Sequence, residues 1–484
     1  MLDKILQYLT YDPQNPMLFN SGVFLFVFTV FIFIYSWVYQ NRVARTVYVI
    51  LFSLYFYYKA SGWYLVILLL TVFVDYYIGL RIYSAPKPLQ KKLWLCLSIF
   101  TSVGLLCYFK YTNFFLSNIF ALLDKEYSPL DIFLPIGISF YTFQTLSYIL
   151  DIYWGRFKPV YTLLDYTFYM TYFPHLVAGP IVRAADFLPQ IYHKIIIHKE
   201  SIYYGLALVI RGLVKKAIIA DYIAQYNDLV FNNPSGYSGF ENLMAMYGYT
   251  LQIYCDFSGY SDMAIGLSQI MGFRLCENFR SPYLAQNITD FWRRWHISLS
   301  SWLRDYIYIP LGGNRKGELR QYFHLLATML IGGFWHGASW KFVFWGGMHG
   351  LGLVVHKLWQ KFNPLPSQNW VNFLAGVITF HFVALLWIFF RASDFQSAMF
   401  MLKQLFMNLD FAYTLPFWQA RPLFVVLLLL GFILHFLPHS YKDWAVTLFV
   451  KAPLFFKAAL LLVVLQLIIQ LQGEGVQPFI YFQF

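Results

Sequence analysis

His336 is set in the segment GGFWHGASWKFVFWGGMHG, an apolar and aromatic stretch whose glycines let backbone or ligand approach closely. Imidazole exchanges protons near neutral pH, so a histidine in such surroundings is either a satisfied core residue or a general base. His349 follows thirteen residues later. On one continuous helix it would point about 140° away from His336, so at most one of the two would face a given site.

A second constellation lies upstream. From Asp290 to Ile309, in DFWRRWHISLSSWLRDYIYI, the bulky residues Trp292, Trp295, Leu299, Trp302, Leu303 and Tyr306 follow the spacing of an amphipathic helix. On another face Arg293, His296, Ser300 and Arg304 form a basic stripe with one imidazole in it, and Pro310, Gly312 and Gly313 end the run. Such a stripe either meets phospholipid headgroups as an interfacial helix or holds the phosphates of a donor such as coenzyme A or a phosphopantetheine arm. The planar guanidinium fork suits phosphate.

Polar residues also interrupt apolar sequence at two further places. Gln144, Ser147 and Asp151 lie in LPIGISFYTFQTLSYILDIYWG, and Asp256 and Asp262 lie among small residues in YCDFSGYSDMAIG. Carboxylates at membrane depth are costly and face a bundle interior or a wet cavity. They either bond helix to helix through Ser258, Ser261 and backbone groups, or line a substrate path, for which Gln144, Asp256 and Asp262 are the candidates. The four cysteines, Cys96, Cys107, Cys255 and Cys276, have neither metal-ligand spacing nor a disulfide framework, and no metal site is expected. No Ser or Cys nucleophile paired with a base stands out.

The elements that must position these groups are membrane helices. Hydrophobic residues make up 59% of the 484 and charged ones 12%, with a mean hydropathy of +0.53; a water-soluble chain carries about twice that charge fraction. Apolar runs of roughly 18 to 25 residues recur from Gly22 to Leu471, enough to cross a bilayer as helices. Spanning strands would instead show short alternating segments, so the fold class is all-α, with roughly 11–13 helical segments. The segments 162–182 and 290–310, interrupted by Pro, Gly and Arg, suggest re-entrant or surface-lying helices.

Charge orients the chain. The excess of 35 Lys+Arg over 23 Asp+Glu, +12, follows from basic loops on the cytoplasmic side and does not imply nucleic acid. Arg42 and Arg45 follow the first span; Arg81, Lys87, Lys91 and Lys92 follow a pair at about 46–60 and 62–80. Arg156 and Lys158 follow two more, with the acidic DKEYSPLD between the last two clusters. Alternation then places residues 1–19 outside the cytoplasm and the amphipathic, basic segment 273–322 at its cytoplasmic side. The first apolar run, beginning near Ser21, has no cleavage-site pattern before it and reads as a retained span. No internal repeat or long linker appears, so the chain reads as a single membrane-embedded domain, 1–484, with a candidate late boundary near Pro364–Ser367.

The segments LPIGISFYTFQTLSYILDIYWG, YFPHLVAGPIVR, YCDFSGYSDMAIGLSQIMGF, ENFRSPYLAQNITDFWRRWHISLSSWLRDYIYIPLGGNRKG, GGFWHGASW, WIFFRA and PFIYFQF resemble the membrane-bound O-acyltransferase family. The resemblance is to its bacterial branch for alginate O-acetylation, and more distantly to the D-alanyl transfer protein of teichoic acids. It runs from about residue 17 onward and is most specific in FWRRWHISLSSWLRDYIYIPLGGNR; 362–372 and 405–460 match only in hydrophobic character.

The resemblance implies helices around a central pore, thinned in the middle, where donor and acceptor approach a buried histidine from opposite membrane sides. The family's tunnel histidine falls on His336 and its second histidine on His296. His336 would be the general base in direct transfer from a thioester, and His296 would orient the donor or polarise its carbonyl. No bound cofactor is expected; the donor would be acetyl-coenzyme A or an acyl carrier thioester on the cytoplasmic side. An extracytoplasmic acetyltransferase partner would complete transfer to an envelope or exported polysaccharide, from a multi-pass protein of the bacterial cytoplasmic (inner) membrane. Acylation of peptidoglycan or teichoic acid is the alternative acceptor chemistry. A glycan transporter subunit, which would more often show inverted repeats, or a structural anchor are the readings from other classes.

Overall fold

The computed structural model describes residues 10–13, 16–362, 368–471 and 479–480. It is 79% helical, with no strand among the described residues, as expected of an all-α chain. The boundary expected near Pro364–Ser367 and most of the N-terminal segment 1–19 lie outside the described residues. Among the described residues, four helical stretches are long and apolar enough to cross a membrane: Arg42–Ser84, Pro88–Leu122, Asn369–Arg391 and Leu454–Leu471. A fifth results if the helices Phe411–Ala420 and Pro422–Phe436, bent by 103°, count as one broken span. The first apolar run forms the 17-residue helix Gly22–Val38. Within Arg42–Ser84 the chain turns at Gly62, where φ is +60°, which is where the sequence divides the expected pair of spans.

The chain forms two compact units, Met1–Leu206 with Ala264–Cys276, and Ala207–Met263 with Glu277–Phe484. In the first, Phe173 is the hub of an aromatic cluster, meeting Phe52, Phe56 and Phe31 at ring-centroid distances of 5.0, 5.8 and 5.9 Å. Its position follows from the break at Tyr172, which ends the helix Leu163–Thr171 and starts the short helix Phe173–Leu176. The segment 162–182 is thus broken rather than one span. Asp165, buried in the first turn of Leu163–Thr171, accepts from Arg42 Nη2 at both carboxylate oxygens, 2.9 and 2.8 Å, and from the Tyr192 hydroxyl.

In the second unit, glycines set helix spacing. Gly212, on Lys199–Leu213, and Gly259, on Gly239–Ile270, face each other so closely that a Cβ on Gly259 would lie 2.8 Å from the Gly212 carbonyl oxygen. Small residues at such crossings allow backbone-to-backbone approach. The same device pairs the helices Glu318–His336 and Trp340–Phe362. There a Cβ on Gly333 would abut the Phe342 carbonyl and lie 2.9 Å from the Gly346 Cα. The connection is the extended residue Gly337 and the two that follow it.

Candidate active site

His336 is the last residue of Glu318–His336 and is 3% exposed. Its ring is edge-on to Trp345, at 5.2 Å and 89°, and contacts Trp335 at 5.0 Å and Phe390 at 5.2 Å. The helix break at Gly337 corrects the expectation for His349. GGFWHGASWKFVFWGGMHG is a hairpin, not one helix, so its second arm folds back on the first. His349 consequently meets the same indole, with its centroid 4.6 Å from that of Trp345. Both histidines belong to one aromatic block, together with Trp292, Trp387 and Phe390.

The basic stripe is likewise altered. The expected helix over 290–309 breaks after Arg294: Trp295 is extended and His296 adopts left-handed backbone, φ 43° and ψ 55°. The chain resumes as Ile297–Leu303 and then a π-helical turn, Arg304–Tyr308. His296 therefore leaves the stripe and is fully buried, whereas Arg293 and Arg304 stay exposed. Arg304 pairs with neighbouring Asp305 at 2.7 Å, and the Ser300 hydroxyl donates to the Trp295 carbonyl.

The cause of the kink is Asn278. Its backbone carbonyl accepts from Ile297 N–H, and its side-chain Oδ1 accepts from Ser298 N–H at 3.2 Å and Ser298 Oγ at 2.9 Å. The backbone N–H can only donate, so the facing side-chain atom is oxygen. The His296 Nδ1 that lies 3.1 Å from it must then carry the proton. Burial pushes this imidazole down to about 3, so it is neutral at neutral pH. Ser298 Oγ is 3.4 Å from Nδ1, but a protonated Nδ1 accepts nothing and Ser298 is not an activated nucleophile. Phe257 packs edge-to-face on the His296 ring at 4.6 Å.

The acidic candidates have charged partners. Asp262 takes two bonds from Arg211, at 2.6 and 2.9 Å, and one from Lys215 at 2.7 Å. Asp256 pairs with buried Lys216 at 2.5 Å and accepts the backbone N–H of Ile480. Arg211, at the end of Lys199–Leu213, and Lys215 and Lys216, in the π-helical turn Val214–Ala220, rather than Ser258 and Ser261, thus answer these carboxylates. Gln144 belongs to the first unit, where its amide donates to the Tyr169 carbonyl at 3.0 Å and lies 3.0 Å from His175 Nε2. Ser147 donates to the Gln144 carbonyl, and Asp151 faces Arg156 at 3.8 Å.

Residues 159–393 match the membrane-bound O-acyltransferase family. The chain is 38% identical over 417 residues to a peptidoglycan O-acetyltransferase of Helicobacter pylori, covering 80% of this chain and 79% of that protein. It is 41% identical over 402 residues to a probable alginate O-acetylase of Pseudomonas aeruginosa, covering 81% and 75%. A teichoic acid D-alanyltransferase of Bacillus subtilis is 32% identical over 303 residues, 58% of this chain and 75% of that one. The chain belongs to the membrane-bound O-acyltransferase family and is an acyltransferase. His296, His336 and His349 all lie within the matched region.

Proposed function

We propose that this protein moves an acetyl group from a cytoplasmic thioester across the membrane for O-acetylation of an envelope or exported polysaccharide, with His336 as general base. The observation that carries the reading is the setting of His336: a buried imidazole walled by Trp335, Trp345 and Phe390, at the end of a helix that glycines hold against its partner. In such a dry site the ring takes the proton of an acceptor hydroxyl as that oxygen bonds to the thioester carbonyl carbon. The carbon–sulfur bond then breaks, and the imidazolium returns the proton to the departing thiolate. Because Ser298 is not activated, direct transfer is favoured over an acyl-enzyme.

Neutral His296, its Nδ1 proton committed to Asn278, suits orienting the donor rather than exchanging protons. The exposed Arg293 and Arg304, with Ser300 between them in sequence, are the proposed contacts for the donor's phosphates at the cytoplasmic face, acetyl-coenzyme A or an acyl carrier. Asp256 and Asp262 remain proposed neighbours of the substrate path, and Gln144, in the first unit, remains a separate candidate. The apolar spans support a multi-pass membrane location, for which the bacterial inner membrane is the proposed one, and a separate extracytoplasmic acetyltransferase is the proposed receiver. Peptidoglycan is the second acceptor reading, favoured by the 38% identity to the Helicobacter pylori enzyme.

The test is acetyl-coenzyme A consumption by the purified protein in nanodiscs, with wild type and His336→Gln side by side. Mass spectrometry of muropeptides and of exopolysaccharide from wild-type and deletion cells assigns the acceptor. Loss of acetyl from neither fraction would end the polysaccharide reading.

A further inference from the structure

Three rings of the aromatic block that holds His336 carry buried polar atoms that the mechanism above does not use. His349 is fully buried, Trp345 is 1% exposed and Trp292 is 9% exposed. Their centroids lie 4.6 Å apart for Trp345 and His349, 5.1 Å for Trp292 and His349, and 5.8 Å for the two indoles. Neither indole Nε1 nor either ring nitrogen of His349 meets a hydrogen-bonding partner among the described residues. Phe291 and Phe382 also meet the imidazole, at 6.1 and 5.9 Å. Four unanswered polar atoms in so small a volume are costly to bury, and packing alone would be served as well by phenylalanine.

An indole N–H can only donate, and a neutral imidazole donates through one nitrogen, so the block offers up to three donors. The partner it lacks is an oxygen with lone pairs. Trp345 also contacts His336, at a centroid distance of 5.2 Å, so one indole borders both this block and the proposed base.

We propose that His349, with the indole N–H groups of Trp345 and Trp292, receives the carbonyl oxygen of the acyl group undergoing transfer. This rests on the acyltransfer reading given above and names the residues that hold the carbonyl within it. As the acceptor oxygen bonds to the carbonyl carbon, the carbonyl π pair moves onto the oxygen, where these donors stabilise it. The pair then returns to carbon, the carbon–sulfur bond breaks, and the proton held by His336 leaves with the thiolate. Donors fixed in a water-poor site are effective at this task because they need no reorganisation as charge develops.

The experiment compares wild type, His349→Phe, His349→Gln and His336→Gln in nanodiscs, with acetyl-coenzyme A as donor and thermal melting measured on each. Phenylalanine keeps the ring shape and removes both nitrogens; glutamine keeps an N–H donor. The expected result is that His349→Phe melts at or above the wild-type temperature while kcat falls about 100-fold or more, the usual consequence of losing such a donor. Its donor KM should stay within about threefold, and His349→Gln should keep kcat within about tenfold of wild type. An active wild type that His336→Gln silences, while His349→Phe retains both kcat and KM, overturns this inference alone. Joint loss of melting temperature in His349→Phe and His349→Gln makes His349 a packing residue and also overturns it. A wild type inert toward acetyl-coenzyme A and other short acyl thioesters sinks the acyltransfer reading, and this inference with it.

Discussion

Gly333 and Gly346 face each other across the hairpin that carries His336 and His349, each glycine three residues before a histidine, with a Cβ on Gly346 falling 3.0 Å from the Gly333 Cα. The spacing of the two histidines from Trp345 therefore depends on the absence of two side chains. Gly333→Ala or Gly346→Ala must push the arms apart, because the obstacles are backbone atoms that cannot rotate away. Overpacking of this kind costs about 1–3 kcal/mol. Lower melting temperatures in detergent, with reduced transfer, are expected for both, and Gly347→Ala is the control. Its Cβ would meet only Leu330 Cδ2, at 3.4 Å.

His336→Ala and His336→Gln should leave expression and membrane insertion near wild type and abolish surface acylation. Glutamine keeps hydrogen bonding without accepting and releasing a proton, so it separates base chemistry from packing. Near-normal acylation in the glutamine variant would refute the general-base role.

Arg293→Lys and Arg304→Lys keep charge but lose the planar fork. If the guanidinium groups hold donor phosphates, each change should weaken donor binding by up to about 1.5–3 kcal/mol, read as a raised KM with kcat retained. Since His296 is turned out of the stripe, the two arginines flank a kink rather than share one helix, and their effects are expected to add. Donor titration on purified variants checks this; unchanged affinity in both would move the donor site elsewhere.

The kink itself predicts a pH dependence. The His296 imidazole falls from the usual 6.5 to about 3 in the folded protein, so between those values the unfolded chain binds the proton that the folded one excludes. Its stabilising contribution is present above about pH 6.5 and is lost as pH falls toward 3. Melting temperature plotted against pH should fall less steeply below 6.5 in His296→Asn than in wild type. Parallel curves would mean that His296 is not the group excluded. Asn278→Ala removes the acceptor for Ser298 N–H, Ser298 Oγ and His296 Nδ1 together, and should cost at least about 1–3 kcal/mol of stability, the usual penalty for an unsatisfied buried donor.

How far these features could be read in advance depended on where their causes lie in the chain. Helical class, the division at Gly62 and the broken character of 162–182 were legible because hydropathy, glycine and proline act locally. The kink at His296 was not, since its cause, Asn278, is 18 residues away, and the spacing of Arg293, His296, Ser300 and Arg304 fits an unbroken helix. The charged partners of Asp256 and Asp262 lie 40 to 51 residues upstream, at Lys216, Lys215 and Arg211, so neighbouring serines offered a nearer but wrong answer. For His349, a helical-wheel angle was the right tool applied to the wrong object. A hairpin reverses one arm, and angle along a single axis then says nothing about shared neighbours.

The left-handed backbone at His296 also limits which residues a library could place there. Glycine and asparagine enter that region of conformational space at little cost, while β-branched and bulky residues resist it. Only histidine adds a ring nitrogen aimed at Asn278. A saturation library at this position, sorted first for folded protein in the membrane, should therefore return glycine and asparagine beside histidine. Sorted again for acylated product, the same pool should contract to histidine. The gap between the two survivor lists would measure how much of that residue is owed to architecture and how much to turnover.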